Sequence, residues 1–218
     1  MQANNPINQT SPVTEMVSLK LSALKPIEVY KLLTGSIIPR PIALVSTVNN
    51  QGVGNLAPFS FFNGICSNPP CLMISVARKP DGGKKDTLIN IEETGQFVVN
   101  STSSWIAQPM AQSSAAYPYG INELTEVGLT ALPSTLVKPV RVKESAIHFE
   151  CEVLKTVQIG DGSAGSTTVI FGRVLMMHIH KAAYKEGKIL HAELSPLARL
   201  SGISYALMGD SFELRPSF

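Results

Sequence analysis

Two long runs of alternating residues, 146–159 and 167–180, constrain the fold of this chain more than any other feature. In AIHFECEVLKTVQI, the alternation places His148, Glu150 and Glu152 on one face of a strand and Phe149, Cys151 and Val153 on the other. The run TTVIFGRVLMMHIH follows after the short segment SAGS, which is typical of a hairpin loop. Two long adjacent strands of this kind predict a closed or sandwich-like antiparallel sheet.

Shorter segments predict further strands and helices around this hairpin. PIALVSTV, CLMISVA and QFVVNS are β-branched and apolar runs of strand length. DTLINIEETG predicts a short helix with Asp86 as its N-cap and Gly95 as its stop, and KPIEVYKLLTG and SSWIAQPMAQSS predict two more. Because the sequence contains no internal repeat and no linker, we expect one domain over residues 18–218, preceded by a flexible polar arm at 1–17.

Composition and charge exclude several classes of protein. Hydrophobic residues make up 44% of the chain and charged residues 16%, which excludes a disordered chain or a coiled coil, and a net charge of +2 gives no case for nucleic-acid binding. Three cysteines without C-x-x-C spacing favour a reducing cytoplasm over a disulfide framework or a thiolate metal site. No signal peptide and no apolar run of about 18 residues is present, so we expect a cytoplasmic protein with no membrane partner.

The segment VARKPDGGKKDT, residues 76–87, combines cations with a glycine-rich turn ahead of a predicted helix. The N-terminus of a helix presents unpaired N–H groups, which favour an anion such as a phosphate monoester. Arg78 and Lys84 add charge, and the hydroxyl of Thr87 adds a donor. The alternative interpretation is a solvated basic turn. A Walker A loop is excluded because Arg78 stands where that motif requires glycine, and no G-x-G-x-x-G follows a strand.

Other segments suggest weaker sites. His178 and His180 share one face of a predicted strand, as in cupin-like metal sites, but Glu186 follows too late for the acidic ligand, so packed histidines are the favoured interpretation and no metal is expected. No serine lies in a G-x-S-x-G setting. In NLAPFSFFNG, Asn55, Ser60 and Asn63 lie among phenylalanines, a mixture that suits the edge of a flat heteroaromatic ring; the alternative interpretation is that the phenylalanines belong to the core.

Three motifs together resemble a known family. P-R-P-I-A-L-V-S-T at 39–47, N-x-A-P-F-S at 55–60 and K-D-T at 85–87 are similar to those of the flavin reductase-like, FMN-binding split-barrel proteins, and LSPLARLSGISY near the C-terminus extends the likeness. The resemblance covers residues 19–205. It implies a mainly β fold: a six-stranded Greek-key split β-barrel with a few short peripheral helices, forming a homodimer with FMN near the dimer interface.

The resemblance also implies which residues contact FMN. Those expected to line the isoalloxazine ring and ribityl chain are Ser46, Thr47, Asn55, Ala57, Pro58, Phe59 and Ser60. Those expected around the phosphate are Arg78, Lys84, Asp86 and Thr87, with Asp86 orienting a cation. Arg199 and Tyr205 match the C-terminal motif of the family and complete the predicted cofactor-binding set.

The function implied is that of an FMN-dependent NAD(P)H oxidoreductase, a flavin reductase. Hydride transfer from NADH or NADPH to flavin N5 requires two stacked rings and no protein acid or base, so no catalytic residue is predicted. Because the sequence carries no recognisable nicotinamide motif, an FMN-binding electron carrier is the alternative, and a cupin-like metalloprotein is a third hypothesis.

Overall fold

The computed structural model describes residues 15–214, so residues 1–14 of the predicted arm lie outside the described residues. The helices are α1 (Pro26–Ser36), α2 (Asp86–Thr94), α3 (Ala107–Gln112) and α4 (Glu123–Glu126). The strands of the main sheet are β2 (Ala43–Val48), β3 (Gly54–Phe59), β4 (Phe62–Ser67), β5 (Pro70–Ala77), β6 (Gln96–Ser101), β9 (Ile147–Ile159) and β10 (Thr167–Ile179). Shorter strands are β1 (Arg40–Pro41), β7 (Ala131–Leu132), β8 (Arg141–Val142), β11 (Tyr184–Lys185), β12 (Lys188–Ile189), β13 (Leu197–Arg199) and β14 (Tyr205–Leu207). No helix among residues 15–214 is long and apolar enough to cross a membrane.

The main sheet is antiparallel, with the strand order β3-β2-β6-β9-β10-β5-β4. The long predicted hairpin is confirmed as β9 and β10, whose register places Val169 opposite Val157. The two edge strands, β3 and β4, are joined by Ser60 and Phe61 alone, so the sheet must curl until its edges lie near each other. No ladder pairs β3 with β4 within residues 15–214, so the structure shows a curled seven-stranded sheet and does not confirm a closed six-stranded barrel.

Two apolar clusters lie on opposite faces of this sheet. Ala43 and Val45 of β2 point into the first of these, the inner cluster, which includes Phe97, Phe59 and Cys151. Leu88 and Ile91 of α2 also belong to the inner cluster. Leu44, between Ala43 and Val45 in sequence, points the other way into a cluster with α3, α4 and β13. A strand that is buried on both faces reads as a continuous apolar run, which explains the segment IALV.

The start of β9 is likewise covered on both sides. Cys151 belongs to the inner cluster, yet Glu150, on the opposite face, is also fully buried. Its carboxylate accepts hydrogen bonds from the backbone N–H groups of Thr135 (2.8 Å) and Leu136 (2.6 Å), and from His178 Nε2 (2.7 Å). Glu150 therefore holds the irregular segment 133–139 against the sheet.

Helix α2 begins one residue earlier than the sequence analysis predicted. Asp86 is its first helical residue, whereas Lys85 occupies the N-cap and makes no side-chain capping bond. Asp86 pairs instead with Lys79, whose Nζ lies 3.0 Å from its carboxylate. The predicted stop is confirmed, since Gly95 caps the helix with a φ of 68°, a conformation that glycine adopts without steric cost.

Candidate functional site

The basic segment after β5 forms a compact turn that is anchored to the β9–β10 hairpin. Lys79 N–H donates to Gly83 O at 2.8 Å, and Gly82, with a φ of 85°, donates to Lys79 O at 2.9 Å. The backbone N–H of Arg78 donates to Ser166 O at 3.0 Å. Hydrogen bonds within the turn and to Ser166 fix its backbone conformation, and the turn leads directly into α2.

This turn forms one wall of a cavity of about 560 Å³. Asn55, Ala57 and Pro58 of β3 also line it, and α2 contributes Asp86 and Thr87. The segment 113–117, composed mostly of small residues after α3, completes the lining together with Glu123. The volume falls within the range of about 300–1,000 Å³ that is common for small-molecule sites.

Three cations line one end of the cavity, and their partners differ. Arg78 Nη2 reaches Gln158 at 3.4 Å, but its Nε is buried and has no hydrogen-bond partner among the described residues. Lys79 is paired with Asp86. Lys85 lies over the ring of Phe59, with Nζ 5.6 Å from the centroid, and burial followed by repulsion from Lys79 lowers the pKa of Lys85. An anion at this end would accept a hydrogen bond from Arg78 Nε and would compensate the positive charge of Lys85.

A network of buried polar side chains lies beside the cavity, and three of its members, Asn55, Thr87 and Glu123, line it. The amide of Asn55 lies between Thr87 Oγ1 (3.0 Å) and Thr47 Oγ1 (3.3 Å), and Asn90 also donates to Thr47 Oγ1 (3.1 Å). In the orientation in which Nδ2 donates to Glu123 Oε1 (3.3 Å), the amide oxygen of Asn55 accepts hydrogen bonds from both threonine hydroxyls. Burial raises the pKa of Glu123, although its bond from Leu56 N–H opposes the shift. This network fixes the positions of β3, α2 and α4 around the cavity.

The predicted cofactor-binding residues divide into three groups. Those that line the 560 Å³ cavity are Asn55, Ala57, Pro58, Arg78, Asp86 and Thr87. A smaller cavity of about 210 Å³ is lined by Pro58 together with Ser60, Arg199 and Tyr205. Ser46, Thr47, Phe59 and Lys84 line neither cavity.

Each residue of the third group has a partner elsewhere. Ser46 donates to Val140 O at 2.5 Å, and Thr47 supports the network described above. Phe59 packs in the inner apolar cluster. The Nζ of Lys84 lies 2.5 Å from the Glu92 carboxylate, on the exposed side of α2. A direct contact of these four residues with a ligand therefore stays a prediction.

Comparison with known proteins decides the family. A family model described as "Flavin reductase like domain" matches residues 34–198, which is most of the chain. The chain belongs to this family. The resemblance inferred from the sequence motifs is thus confirmed.

Several known proteins are similar to this chain over most of its length. The uncharacterized protein YwrF of Bacillus subtilis (strain 168) is 40% identical over 195 residues, which is 87% of this chain and 94% of YwrF. Among solved structures, nitrilotriacetate monooxygenase component B from Bacillus cereus is 36% identical with a TM-score of 0.89, covering 93% of this chain and 100% of that one. The Pseudomonas fluorescens 2-nitrobenzoate 2-nitroreductase NbaA is 32% identical with a TM-score of 0.83, covering 92% and 96% of the two chains.

Sequence reasoning missed several residues that line the 560 Å³ cavity. Lys79 and Lys85 line the cavity, yet the sequence shows four cations in one loop with no pattern that separates those facing inward. Glu123 and the segment 113–117 lie far along the chain from the three motifs and carry no signal of their own. Only the start of the helix at Asp86, one residue after Lys85, indicates that Lys85 lies near the N-terminal end of α2.

The structure shows no cluster that suits a metal ion. Across residues 15–214, no three histidine, cysteine, aspartate or glutamate side chains are arranged to hold one. His178 is bonded to Glu150, and its ring centroid lies 6.1 Å from that of His148.

Proposed function

We propose that this chain is an FMN-binding oxidoreductase that takes electrons from NADH or NADPH, a flavin reductase. The observation that carries the proposal is the 560 Å³ cavity, which is lined by three cations together with polar and apolar side chains. Two similar solved structures are named as a monooxygenase component and a nitroreductase, and both names denote redox chemistry. Bound FMN would supply a ring that accepts a hydride and passes electrons on.

The residues of the cavity fit FMN at its phosphate end. The buried Nε of Arg78 lacks a partner within residues 15–214, and a buried donor without an acceptor costs about 1–3 kcal/mol, so an anion there is stabilised. Lys85 adds charge, and Thr87, in the first turn of α2, adds a hydroxyl beside N–H groups at the positive end of the helix. These groups would hold a phosphate ester at this end of the cavity.

Along β3, next to Thr87, the chain would hold and orient a ring. Ala57 and Pro58 line the cavity there, and Asn55, which is bonded to Thr87, is fixed by hydrogen bonds on several sides. The segment 113–117 covers the cavity from the side of α3 and would exclude water from the ring. Because hydride transfer requires alignment and no proton transfer by a side chain, these positioning groups are sufficient for the proposed chemistry.

The test is reconstitution of the purified protein with FMN, followed by gel filtration and an absorption spectrum. We expect flavin absorbance to travel with the protein, and anaerobic NADH or NADPH to bleach it. A protein that retains neither FMN nor riboflavin contradicts flavin binding. Flavin that is retained but is bleached only by dithionite contradicts the reductase and supports an electron carrier.

We further propose that the chain forms a homodimer in the cytoplasm. Large apolar side chains are exposed on the described surface, including Ile203, which is 92% exposed, and Leu207, which is 59% exposed. Isolated exposed apolar residues are ordinary, but both of these belong to the β13–β14 hairpin, whose Gly202 and Tyr205 line the 210 Å³ cavity. Contact with a second copy would remove these side chains from water.

A further inference from the structure

The 210 Å³ cavity is a second candidate site beside the first. It lies between the C-terminal part of α1, the end of β3, α3 and the β13–β14 hairpin. Pro58 and Ser114 line both cavities, so a ligand in one would lie next to a ligand in the other. Its volume is below the range of about 300–1,000 Å³ for typical ligand pockets, which restricts it to a compact ligand.

One cation of this cavity, Arg40, is buried with neutral partners only. Its side chain donates to the carbonyl oxygens of Thr34 (2.5 Å), Ile37 (2.8 Å) and Leu200 (2.7 Å), and to Ser60 Oγ (3.2 Å). The residue is 4% exposed. Burial lowers the pKa of Arg40, and Arg199 contributes to the shift by repulsion. Four of its five N–H groups thus have acceptors among the described residues, and all of these acceptors are uncharged, so the positive charge is not compensated.

The second cation, Arg199, is held in place with donors to spare. Its guanidinium carbon lies 4.5 Å from the centroid of the Tyr205 ring, Nη1 donates to Tyr205 Oη, and Nη2 donates to Gly202 O. A guanidinium carries five N–H groups, so three are left without a partner in the described part of the chain. Stacking on the ring fixes the plane of this group in advance of any ligand.

No acidic side chain balances these two charges. Neither Arg40 nor Arg199 forms an ion pair with a described residue, and the cavity lining contains no aspartate or glutamate. Two guanidinium groups near each other in a partly buried site repel, and a bound anion would remove that repulsion. The rest of the lining includes Ile42, Pro58 and Met110, which are apolar.

We propose that this cavity binds the carboxylate of a small organic acid. The planar guanidinium of Arg199 matches the two oxygens of a carboxylate. Arg40, which its hydrogen bonds hold in place, adds a second positive charge that attracts the carboxylate. The apolar lining would contact the carbon body of the acid, a contact that inorganic phosphate cannot make. Its role as the electron-acceptor or substrate subsite rests on the proposed flavin function, whereas the binding itself does not.

The test is titration calorimetry with benzoate, benzamide and inorganic phosphate, on protein stripped of flavin and on protein loaded with FMN. We expect benzoate to bind at least tenfold more tightly than neutral benzamide or phosphate. Arg199→Gln should weaken benzoate at least tenfold, and Arg199→Lys should give an intermediate value because it keeps the charge but loses the planar guanidinium. Arg173→Gln, which removes an exposed arginine paired with Glu152, is the matched control and should leave benzoate affinity unchanged.

Three results would overturn the proposal. They are equal affinity for benzoate and benzamide, unchanged benzoate affinity in an Arg199→Gln variant that melts with wild-type cooperativity, and phosphate binding tighter than benzoate. A loss of FMN affinity equal to the loss of benzoate affinity in Arg199→Gln would also overturn it, because Arg199 would then belong to the flavin site. If the wild-type chain binds benzoate but not FMN, the flavin function fails while the carboxylate site stands.

Discussion

At the scale of single residues, two neighbouring lysines present different surroundings to a phosphate. Lys85 lies at the cavity over Phe59, whereas Lys84 is paired with Glu92 on the exposed side of α2. The sequence analysis chose Lys84 for the phosphate, although the K-D-T motif contains Lys85, and the geometry selects Lys85. Substitution at both positions separates the two interpretations, because the residues share charge, length and loop.

We predict that Lys85→Gln weakens FMN more than Lys84→Gln does. A charge-assisted hydrogen bond contributes about 1.5–3 kcal/mol, so the loss at Lys85 should be about ten- to a hundredfold in Kd. Riboflavin, which lacks the phosphate, should bind the Lys85 variant nearly as well as the wild type. Fluorescence titration with both flavins measures these affinities. A larger loss of FMN affinity in Lys84→Gln than in Lys85→Gln would indicate that Lys84, and not Lys85, contacts the phosphate.

The lowered pKa of Lys85 predicts a pH dependence of the same binding step. Burial and then Lys79 lower this pKa, so the ammonium loses its proton at a lower pH than an ordinary lysine does. A bound phosphate favours the charged form and raises the pKa again. FMN affinity should therefore be full below the pKa of the free site and fall as the pH rises through it. Titrations between about pH 7 and 10 should show this decline in the wild type and not in Lys85→Gln, and an affinity that rises with pH would contradict it.

At the scale of elements, β9 carries the residue that holds segment 133–139 to the sheet. Burial alone would raise the pKa of Glu150, but the N–H groups of Thr135 and Leu136, and then His178, outweigh it, so the net shift is downward. A carboxyl whose pKa is lowered by folding stabilises the protein above its unfolded pKa of about 4.3. That stabilisation is lost as the pH falls through the folded pKa.

We predict that Glu150→Gln destabilises the protein near neutral pH by about 1–3 kcal/mol, because hydrogen bonds to a charged acceptor are replaced by weaker ones. The variant should also lose less stability than the wild type as the pH falls below about 4.3. Glu152→Gln, two residues along β9, removes only an exposed pair with Arg173 and should cost about 0–1 kcal/mol. Urea unfolding at several pH values measures both, and equal effects of the two variants would contradict the assigned role of Glu150.

Strand β10 has a glycine for a packing reason. A Cβ on Gly172 would lie 2.4 Å from Cζ of Phe97, a fully buried ring in the inner cluster, and 3.3 Å from Cβ of Cys151. Gly64 in edge strand β4 has no such neighbour within 4 Å. The ring of Phe97 thus packs directly on the backbone of β10.

We predict that Gly172→Ala destabilises the protein by about 1–3 kcal/mol through overpacking against Phe97. Gly64→Ala, the matched control in a strand, should change stability by less than about 0.5 kcal/mol. Thermal unfolding of both variants measures the difference. A neutral Gly172→Ala would mean that the Phe97 ring moves aside without cost.

At the scale of the whole molecule, the sequence predicted the strands better than their arrangement. Alternation in β9 and β10 revealed their length, because a period of two is a local property. It did not reveal that Glu150 is buried, since the covering segment 133–139 is irregular and carries no period. The split of the cofactor residues between two cavities was equally hidden. Pro58 lines both cavities, whereas Ser60, two residues later and past the end of β3, lines only the smaller one.

The proposed homodimer is tested at this scale. Light scattering at micromolar concentration should give the mass of two chains, because burial of the apolar side chains at the β14 hairpin favours association. Ile203→Glu places a charge among them and should shift the mass toward one chain, whereas Thr135→Glu, at an exposed position of segment 133–139, should not. The mass of a single chain for the wild type would contradict the dimer.

The pairing of β5 with β10 also bears on the order of events during synthesis. Ser75 and Thr167, whose hydroxyls lie 2.7 Å apart, are separated by 92 positions in the chain. Contacts between distant positions form slowly, and a domain made of them cannot complete itself until its last strand has left the ribosome. The turn at Arg78 is tied by its backbone to Ser166, so it cannot take its final shape before Ser166 has been synthesised. The cavity that this turn lines is therefore completed only late in synthesis.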